Sequence, residues 1–323
     1  MSIQGIDEVT YGVTDLALCT RYFQEWGLRT VSEDAEEVAL ACLNGCRVRL
    51  VDAGNPDLAP AIESGSTLRE VVWGVESDQD LERIAKALAR HAPVRTAKSR
   101  IFTTDPNGLS VGFQVSVKHP LSIAPTLYNG YGSVPRTNVR APMYPQAAPV
   151  EISHVVFYTE NLAAIEEWYV KSLGFHVSDS YPGRGLFMRC SEAGGHHDAF
   201  FLQLPNVKRG LNHVAFTVRD IHEVFGGGVH FSRLGWQTEI GPGRHPISSG
   251  YFWYFKCPAG GASEYSADED FCTSEWVPRE FAPAPENYAE WAAMGDVDMR
   301  SRKRNAAATS TDATPEGART ARS

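Results

Sequence analysis

Two histidines stand at the same place in two copies of one phrase. Ile152-Ser153-His154-Val155-Val156-Phe157-Tyr158-Thr159-Glu160-Asn161-Leu162 reads as an apolar strand, a polar turn and the start of a helix. Leu211-Asn212-His213-Val214-Ala215-Phe216-Thr217-Val218-Arg219-Asp220-Ile221 repeats it, histidine included. A lone strand histidine is ordinarily a packed core residue. One that recurs at a fixed position of a recurring module is a candidate ligand. Related modules packed side by side aim both rings at a common axis. Glu264, in what reads as the last strand of the second copy, adds a carboxylate. Two histidines and one carboxylate leave the other positions of a metal open, which suits non-haem Fe(II) and oxygen chemistry, with Mn(II) accepted by the same donors.

The elements that must position these residues repeat as well. Two further copies of the strand, Ile6–Leu16 and Leu68–Val75, lack the histidine. After Ile6 a helix is expected through Leu16, Cys19, Tyr22 and Phe23, ending near Gly27. The same spacing returns at Leu162, Ile165, Trp168 and Tyr169, ending near Gly174. Alternating stretches at 38–43 and 46–51 read as hairpin strands around Asn44-Gly45. A helix over 78–91, strands over 100–103 and 109–115, and a closing hairpin over 250–256 and 262–266 complete the reading. The helix after Asp220 is expected to be short or broken at Gly226-Gly227-Gly228. Each copy is thus β-α-β-β-β, an α+β class, with two copies per domain. Residues 1–118 form an N-terminal domain without a metal site, and the proline-rich stretch 119–150 a linker. Residues 151–290 form the catalytic domain, and 291–323 a polar, disordered tail. In the first domain Glu8, Glu70 and Gly112 fall where the ligands fall in the second, and the two glutamates are expected to be solvated.

Bulk properties narrow the partners. Thirty Lys and Arg against 39 Asp and Glu give a net charge of −9. That argues against nucleic acid and suits a small molecule. No apolar run is long enough to span a bilayer. The N-terminus lacks the basic and apolar regions of a signal peptide, and the six cysteines show no paired spacing. A cytoplasmic protein with reduced thiols is expected.

The closing segment carries a more specific pattern. Gly243-Arg244-His245 is followed by Tyr254 and then by Pro258-Ala259-Gly260-Gly261-Ala262-Ser263-Glu264. With the histidine phrases, it resembles the catalytic domain of type I extradiol (ring-cleaving) catechol dioxygenases of the vicinal oxygen chelate superfamily. The resemblance implies the fold shared by glyoxalases, bleomycin-resistance proteins and extradiol dioxygenases. It implies His154, His213 and Glu264 as Fe(II) ligands. It also implies His197, within Gly195-His196-His197-Asp198-Ala199-Phe200, as an acid–base group beside the metal. His245 and Tyr254 then hydrogen-bond a substrate oxygen. The implied enzyme is an oxidoreductase of the catechol 2,3-dioxygenase type in aromatic-compound degradation. It would use a catecholic substrate and O2, and self-association is expected. The sequence departs from the family pattern at Trp253, at Cys257 and at Ser248 after His245, which bears on the substrate pocket. Two other readings share the scaffold. A glyoxalase-like isomerase or epimerase needs a fourth protein ligand, and a ligand-sequestering protein of the bleomycin-resistance type needs no metal.

One geometric condition follows from the alternation of strand side chains. Tyr254 and Glu264 share a face only if they pair directly across the closing hairpin, with a loop of odd length from Cys257 to Gly261.

Overall fold

The four strand phrases are central strands because their residues are apolar on both faces and have to be covered on both. The computed structural model describes residues 2–97 and 99–293. The first module is β1 (Ile3–Val13), α1 (Leu16–Trp26), β2 (Arg29–Glu33), β3 (Glu37–Ala41) and β4 (Arg47–Asp52). The second is β5 (Thr67–Val75), α2 (Asp78–Leu88), β6 (Arg95–Ala97), β7 (Arg100–Thr104) and β8 (Ser110–Val115). The third runs β9 (Glu151–Tyr158), α3 (Leu162–Glu166), β10 (His176–Tyr181), β11 (Gly185–Arg189), β12 (Gly194–Gly195) and β13 (Ala199–Leu202). Its helix continues past α3 with π-type hydrogen bonds over Glu167–Ser172. The fourth is β14 (Gly210–Thr217), α4 (Ile221–Arg233), β15 (Thr238–Arg244), β16 (Tyr251–Lys256) and β17 (Ala262–Ala267). The short elements β18 (Phe271–Cys272), β19 (Arg279–Glu280), α5 (Pro285–Tyr288) and β20 (Trp291–Ala292) follow.

Each half makes one large sheet, and β12 and β18 pair as a separate two-stranded one. Eight strands of the first run β2-β3-β4-β1-β5-β8-β7-β6, and ten of the second run β19-β10-β11-β13-β9-β14-β17-β16-β15-β20. The first strands of the paired modules meet antiparallel at the centre, β1 with β5 and β9 with β14. Each is flanked by the parallel last strand of its own module. The polar turn after each phrase caps the helix that follows. Asp15, Ser77, Asn161 and Asp220 accept from the backbone N–H of Leu18, Asp80, Ala164 and Glu223, each worth about 0.5–2 kcal/mol. Between the sheets, 116–150 carries only an isolated bridge, Gly130 to Ser133. His119 is exposed in it. Trp291 and Ala292 pair with β15, while residues 294–323, where the sequence points to a disordered tail, lie outside the described residues.

The glycine triplet does not break α4, which is continuous for 13 residues. Its role is close approach. A Cβ at Gly226 would lie 2.3 Å from the Tyr144 carbonyl oxygen, at Gly227 2.5 Å from Ala147 Cβ, and at Gly228 2.1 Å from the Trp253 ring. The segment joining the sheets and the closing hairpin both press on the helix there, and packing outweighs the poor helix propensity of glycine.

One core runs through both halves. The Trp26 ring stacks on Tyr265 at 3.5 Å between centroids and 7° between planes, and the Tyr265 hydroxyl donates to the Trp26 carbonyl at 2.8 Å. Tyr265 is the residue after Glu264, so the first half holds the strand that carries this carboxylate. A second tie is Asp105, whose carboxylate accepts from the Tyr169 hydroxyl at 3.1 Å and from the N–H groups of Asn107 and Leu109. Burial pushes its carboxyl up to about 6 despite these bonds.

Removing the stacked indole, Trp26→Ala, should cost about 3–5 kcal/mol in denaturant unfolding. A loss below about 1 kcal/mol would show that Tyr265 is held without it. For Asp105 the folded value lies above the ordinary 3.8. Its contribution to stability is therefore full below about pH 4 and lost as pH rises through about 6. The stability advantage of the native chain over Asp105→Asn should grow as pH is lowered from about 7 to about 4. A difference that stays flat across that range contradicts it.

Candidate metal centre

Three adjacent strands bring the sequence-predicted ligands to one point. His154 on β9 lies opposite Ala215 and His213 on β14 lies opposite Val156, so the two histidines are diagonal neighbours on one face. Ala215 is in turn beside Glu264 on the parallel strand β17. Nε2 of His154 is 3.2 Å from Nε2 of His213, and Glu264 Oε2 is 3.3 Å and 3.2 Å from them. All three residues are at most 5% exposed.

The donor set fits a cation. His213 Nδ1–H donates to Asn212 Oδ1 at 2.6 Å, which leaves Nε2 bare. His154 Nδ1 faces Ser153 Oγ at 3.3 Å and Glu269 Oε1 at 3.7 Å. Glu264 Oε2 is buried and has no hydrogen bond of acceptable geometry. Three acceptors within 3.3 Å of one another, one of them orphaned, are what a bound divalent ion resolves. Burial by itself would raise the Glu264 carboxyl, but His154, His213 and His245 outweigh it and hold the group well below the usual carboxylate range. Among the described residues, sets of three metal-type donors within 4.8 Å occur only here, as His154–His213–Glu264 and as His154–His197–Glu269.

The hairpin has the required register. Tyr254 pairs with Glu264, and Cys257 N–H closes the loop on the Gly261 carbonyl at 3.1 Å. The Tyr254 hydroxyl is 3.0 Å from Nε2 of His245. Nδ1–H of His245 donates to the Tyr288 carbonyl at 2.6 Å, so Nε2 accepts from the tyrosine. The His197 ring lies 4.1 Å from that of His154. Burial, reinforced by His154 and His196, holds His197 well below its ordinary value, so it is neutral. Burial pushes the Tyr254 hydroxyl well above its own.

Five of these six residues line one cavity of about 50 Å³, and Glu264 lies beneath its wall. Val156, Phe187, Phe200, Leu202 and Ile247 give it an apolar side, Tyr181, Asn212, Ser248, Glu269, Asn287 and Tyr288 complete it, and no lysine or arginine lines it. Of the departures from the family pattern, Ser248 lines the cavity. Trp253 and Cys257 belong to the main core on the other side of the hairpin. Among the nearby aromatic residues, Phe187 lines the cavity, Phe252 packs against His245 at 4.1 Å, and Phe201 lies in the core. Asn212, Glu269 and Tyr288 had no signal of their own in the sequence. Asn212 is the one that could have been found, as the polar neighbour of a repeated histidine.

In the first half the matching positions hold Glu8, Glu70 and Gly112, with Glu8 opposite Val72, Glu70 opposite Thr10 and Gly112 beside Val72. Glu8 is not solvated, as the sequence suggested. It is 2% exposed and grips the Arg100 guanidinium at 2.7 Å and 3.2 Å, with Arg49 at 3.6 Å. Glu70 accepts from Ser110 Oγ at 2.7 Å.

Comparison with known proteins points to the same fold. Residues 151–264 match the Glyoxalase/Bleomycin resistance protein/Dioxygenase superfamily. Metapyrocatechase 2 of Cupriavidus necator is 27% identical over 294 residues, 90% of this chain and 89% of that protein. Over most of its length the chain is thus similar to extradiol dioxygenases. It is an oxidoreductase of the dioxygenase type. The manganese-dependent 2,3-dihydroxybiphenyl 1,2-dioxygenase of Geobacillus genomosp. 3 is 24% identical over 59% of the chain and 63% of its own length. The Mn(II)-bound glyoxalase of Novosphingobium aromaticivorans shares the fold, with a TM-score of 0.72 at 23% identity over 91% of this chain and 92% of that one.

Asn212→Ala should lower the affinity for Fe(II) or Mn(II) by roughly 10–100-fold. Chelator competition would measure it, and unchanged affinity would show that Asn212 does not orient His213.

Proposed function

We propose that this extradiol dioxygenase holds Fe(II) through His154, His213 and Glu264 and opens the ring of an uncharged, apolar-substituted catechol beside its hydroxyls, both atoms of O2 entering the product. Residues 151–290 are the catalytic domain in this reading, residues 1–118 a supporting domain without metal, and 119–150 the segment joining them. The observation that carries it is the orphaned Glu264 oxygen beside two imidazole nitrogens, on the same sheet face as the His245–Tyr254 pair. Mn(II) suits the same donors, and two relatives carry manganese in their names.

A divalent ion at this point supplies a Lewis acid that favours loss of a catechol proton and a place where substrate and dioxygen meet. The rest falls to the chain's own groups. Tyr254 and His245 lie 3.0 Å apart. With its proton given to His245, the Tyr254 oxygen accepts from one catechol hydroxyl and leaves the other different, which holds the ring asymmetric. His197, neutral and at the cavity wall, takes up a proton and later returns it as the ring opens. Positioned acid–base groups of this kind typically contribute about 10²–10⁴-fold. Phe187 and Phe200, stacked at 3.9 Å and 2°, offer an apolar bed for a ring substituent. A substituent carboxylate would find no cation among the lining residues and would be buried unpaired.

Anaerobic loading with Fe(II) and a catechol, followed by air, should consume O2 and give a yellow ring-fission product. Alkyl- or aryl-substituted catechols should exceed carboxylated ones by at least about 10-fold in kcat/KM. A panel with no oxygen uptake would sink the activity, and a preference for carboxylated catechols would sink the substrate class. His197→Phe should keep metal and catechol binding while turnover falls by about 10²–10⁴-fold. Loss of metal in that variant would instead make His197 a ligand.

A further inference from the structure

Behind His197 stands a second buried histidine that the proposed ring opening leaves without a task. His196 and Asp179 are both fully buried. His196 Nε2 lies 3.0 Å from Asp179 Oδ2, and its Nδ1 lies 3.2 Å from Nδ1 of His197. Phe187 and Trp276 pack edge-on against its ring at 5.6 Å and 5.8 Å. The other side of Asp179 is engaged as well: Oδ1 accepts from the Arg279 backbone N–H at 2.6 Å, and the Arg279 guanidinium lies 3.7 Å from Oδ2. A line of three groups therefore runs Asp179–His196–His197 from the β10–β19 seam to the cavity wall.

The proton order along that line follows from what each atom can do. Both oxygens of Asp179 face donors, so the carboxylate stands as the acceptor and His196 Nε2 carries a proton. With its proton on Nε2, His196 faces His197 through Nδ1. Only one proton fits between two ring nitrogens 3.2 Å apart, and this order gives it to His197. His197 is then protonated at Nδ1 and bare at Nε2, on the opposite edge of the ring.

We propose that Asp179 and His196 are positioning residues that lock His197 in its Nδ1–H tautomer and present Nε2 to the substrate as the proton acceptor. The inference rests on the extradiol reading for its consequence, though not for its geometry. It assigns a use to both histidines of the His196-His197 pair, one touching the chemistry and one acting through it.

Asp179→Asn tests it without changing shape. The asparagine oxygen keeps the bond from Arg279 N–H, and its amide then donates to His196 Nε2. That reverses the order along the line: His196 carries its proton on Nδ1, and His197 is forced to the Nε2–H tautomer. Turnover should fall by about 10²-fold or more, with KM for the catechol and bound metal unchanged. His196→Leu should fall similarly. His196→Gln should recover to within about 10-fold of the native rate, because its oxygen can accept from His197 while its amide donates to Asp179. Native-like turnover in Asp179→Asn overturns the proposal, and so does a His196→Gln variant no better than His196→Leu. The ring-nitrogen NMR spectrum of the full chain loaded with Zn(II) decides the tautomer without any turnover. A proton on His197 Nδ1 supports the proposal and one on Nε2 overturns it. A native enzyme that consumes no oxygen with any catechol would remove the functional reading, and the spectrum would still decide the tautomer.

Discussion

Three buried ligand-type atoms crowded against one another are the constraint on which the second half of the molecule depends. His154 Nε2, His213 Nε2 and Glu264 Oε2 lie within 3.3 Å of one another. In a dry interior, a bare carboxylate oxygen and two ring lone pairs at that distance are unfavourable unless positive charge lies between them. The strands hold them there regardless. The register of β9 against β14 and of β14 against β17 is fixed by continuous apolar faces, and a one-residue slip would turn the donors into the core. Folding energy from burial thus supplies the preorganisation that metal binding would otherwise have to supply.

The first half meets the same constraint in a different way. Glu8 and Glu70 take the places of the two histidines on the equivalent strands, and a guanidinium replaces the metal: Arg100 binds Glu8 through both oxygens and Arg49 approaches from the other side. The third position is Gly112, and a Cβ there would lie 2.9 Å from the Phe102 ring, which fills the space a third ligand would need. An internal cation and an aromatic ring occupy the ligand positions there, at the wall of a cleft lined by Glu8, Arg49, Glu70, Arg100 and Phe102. This half keeps a mechanical use. Trp26 stacked on Tyr265 fixes the strand one residue from Glu264.

The sequence made the ligands legible because repetition is visible in one dimension. His154 and His213 sit at the same offset of a repeated strand, and Asp15, Ser77, Asn161 and Asp220 mark the start of every helix. Glu264 needed the hairpin register as well, which the odd loop from Cys257 to Gly261 allows and the structure contains. The unread part depends on contacts between distant segments. Asp179 reaches His196 across 17 positions, and the Tyr288 carbonyl that orients His245 comes from a segment 43 residues away. The glycines of α4 looked like a break because their neighbours, Tyr144, Ala147 and Trp253, are remote in the chain. The fate of Glu8 was hidden for the same reason, since its partner Arg100 is 92 residues away.

A single rule of ring orientation runs through the cavity. His213 donates through Nδ1 to Asn212, His245 through Nδ1 to the Tyr288 carbonyl, and His197 through Nδ1 to His196, while His154 turns Nδ1 toward Ser153 and Glu269. Each Nδ1 has a partner within the protein, so Nε2 is the ring atom left for other contacts. Where such an Nε2 carries no proton it is an acceptor, and the Tyr254 hydroxyl is already directed to His245. A cavity built this way favours an occupant that brings positive charge and protons. A divalent ion brings the first and the two hydroxyls of a catechol bring the second. An anionic ligand would meet lone pairs with no cation on the wall to answer it. On the proposed reading, ring tautomers fixed by the chain favour a cation and a catechol before either makes contact.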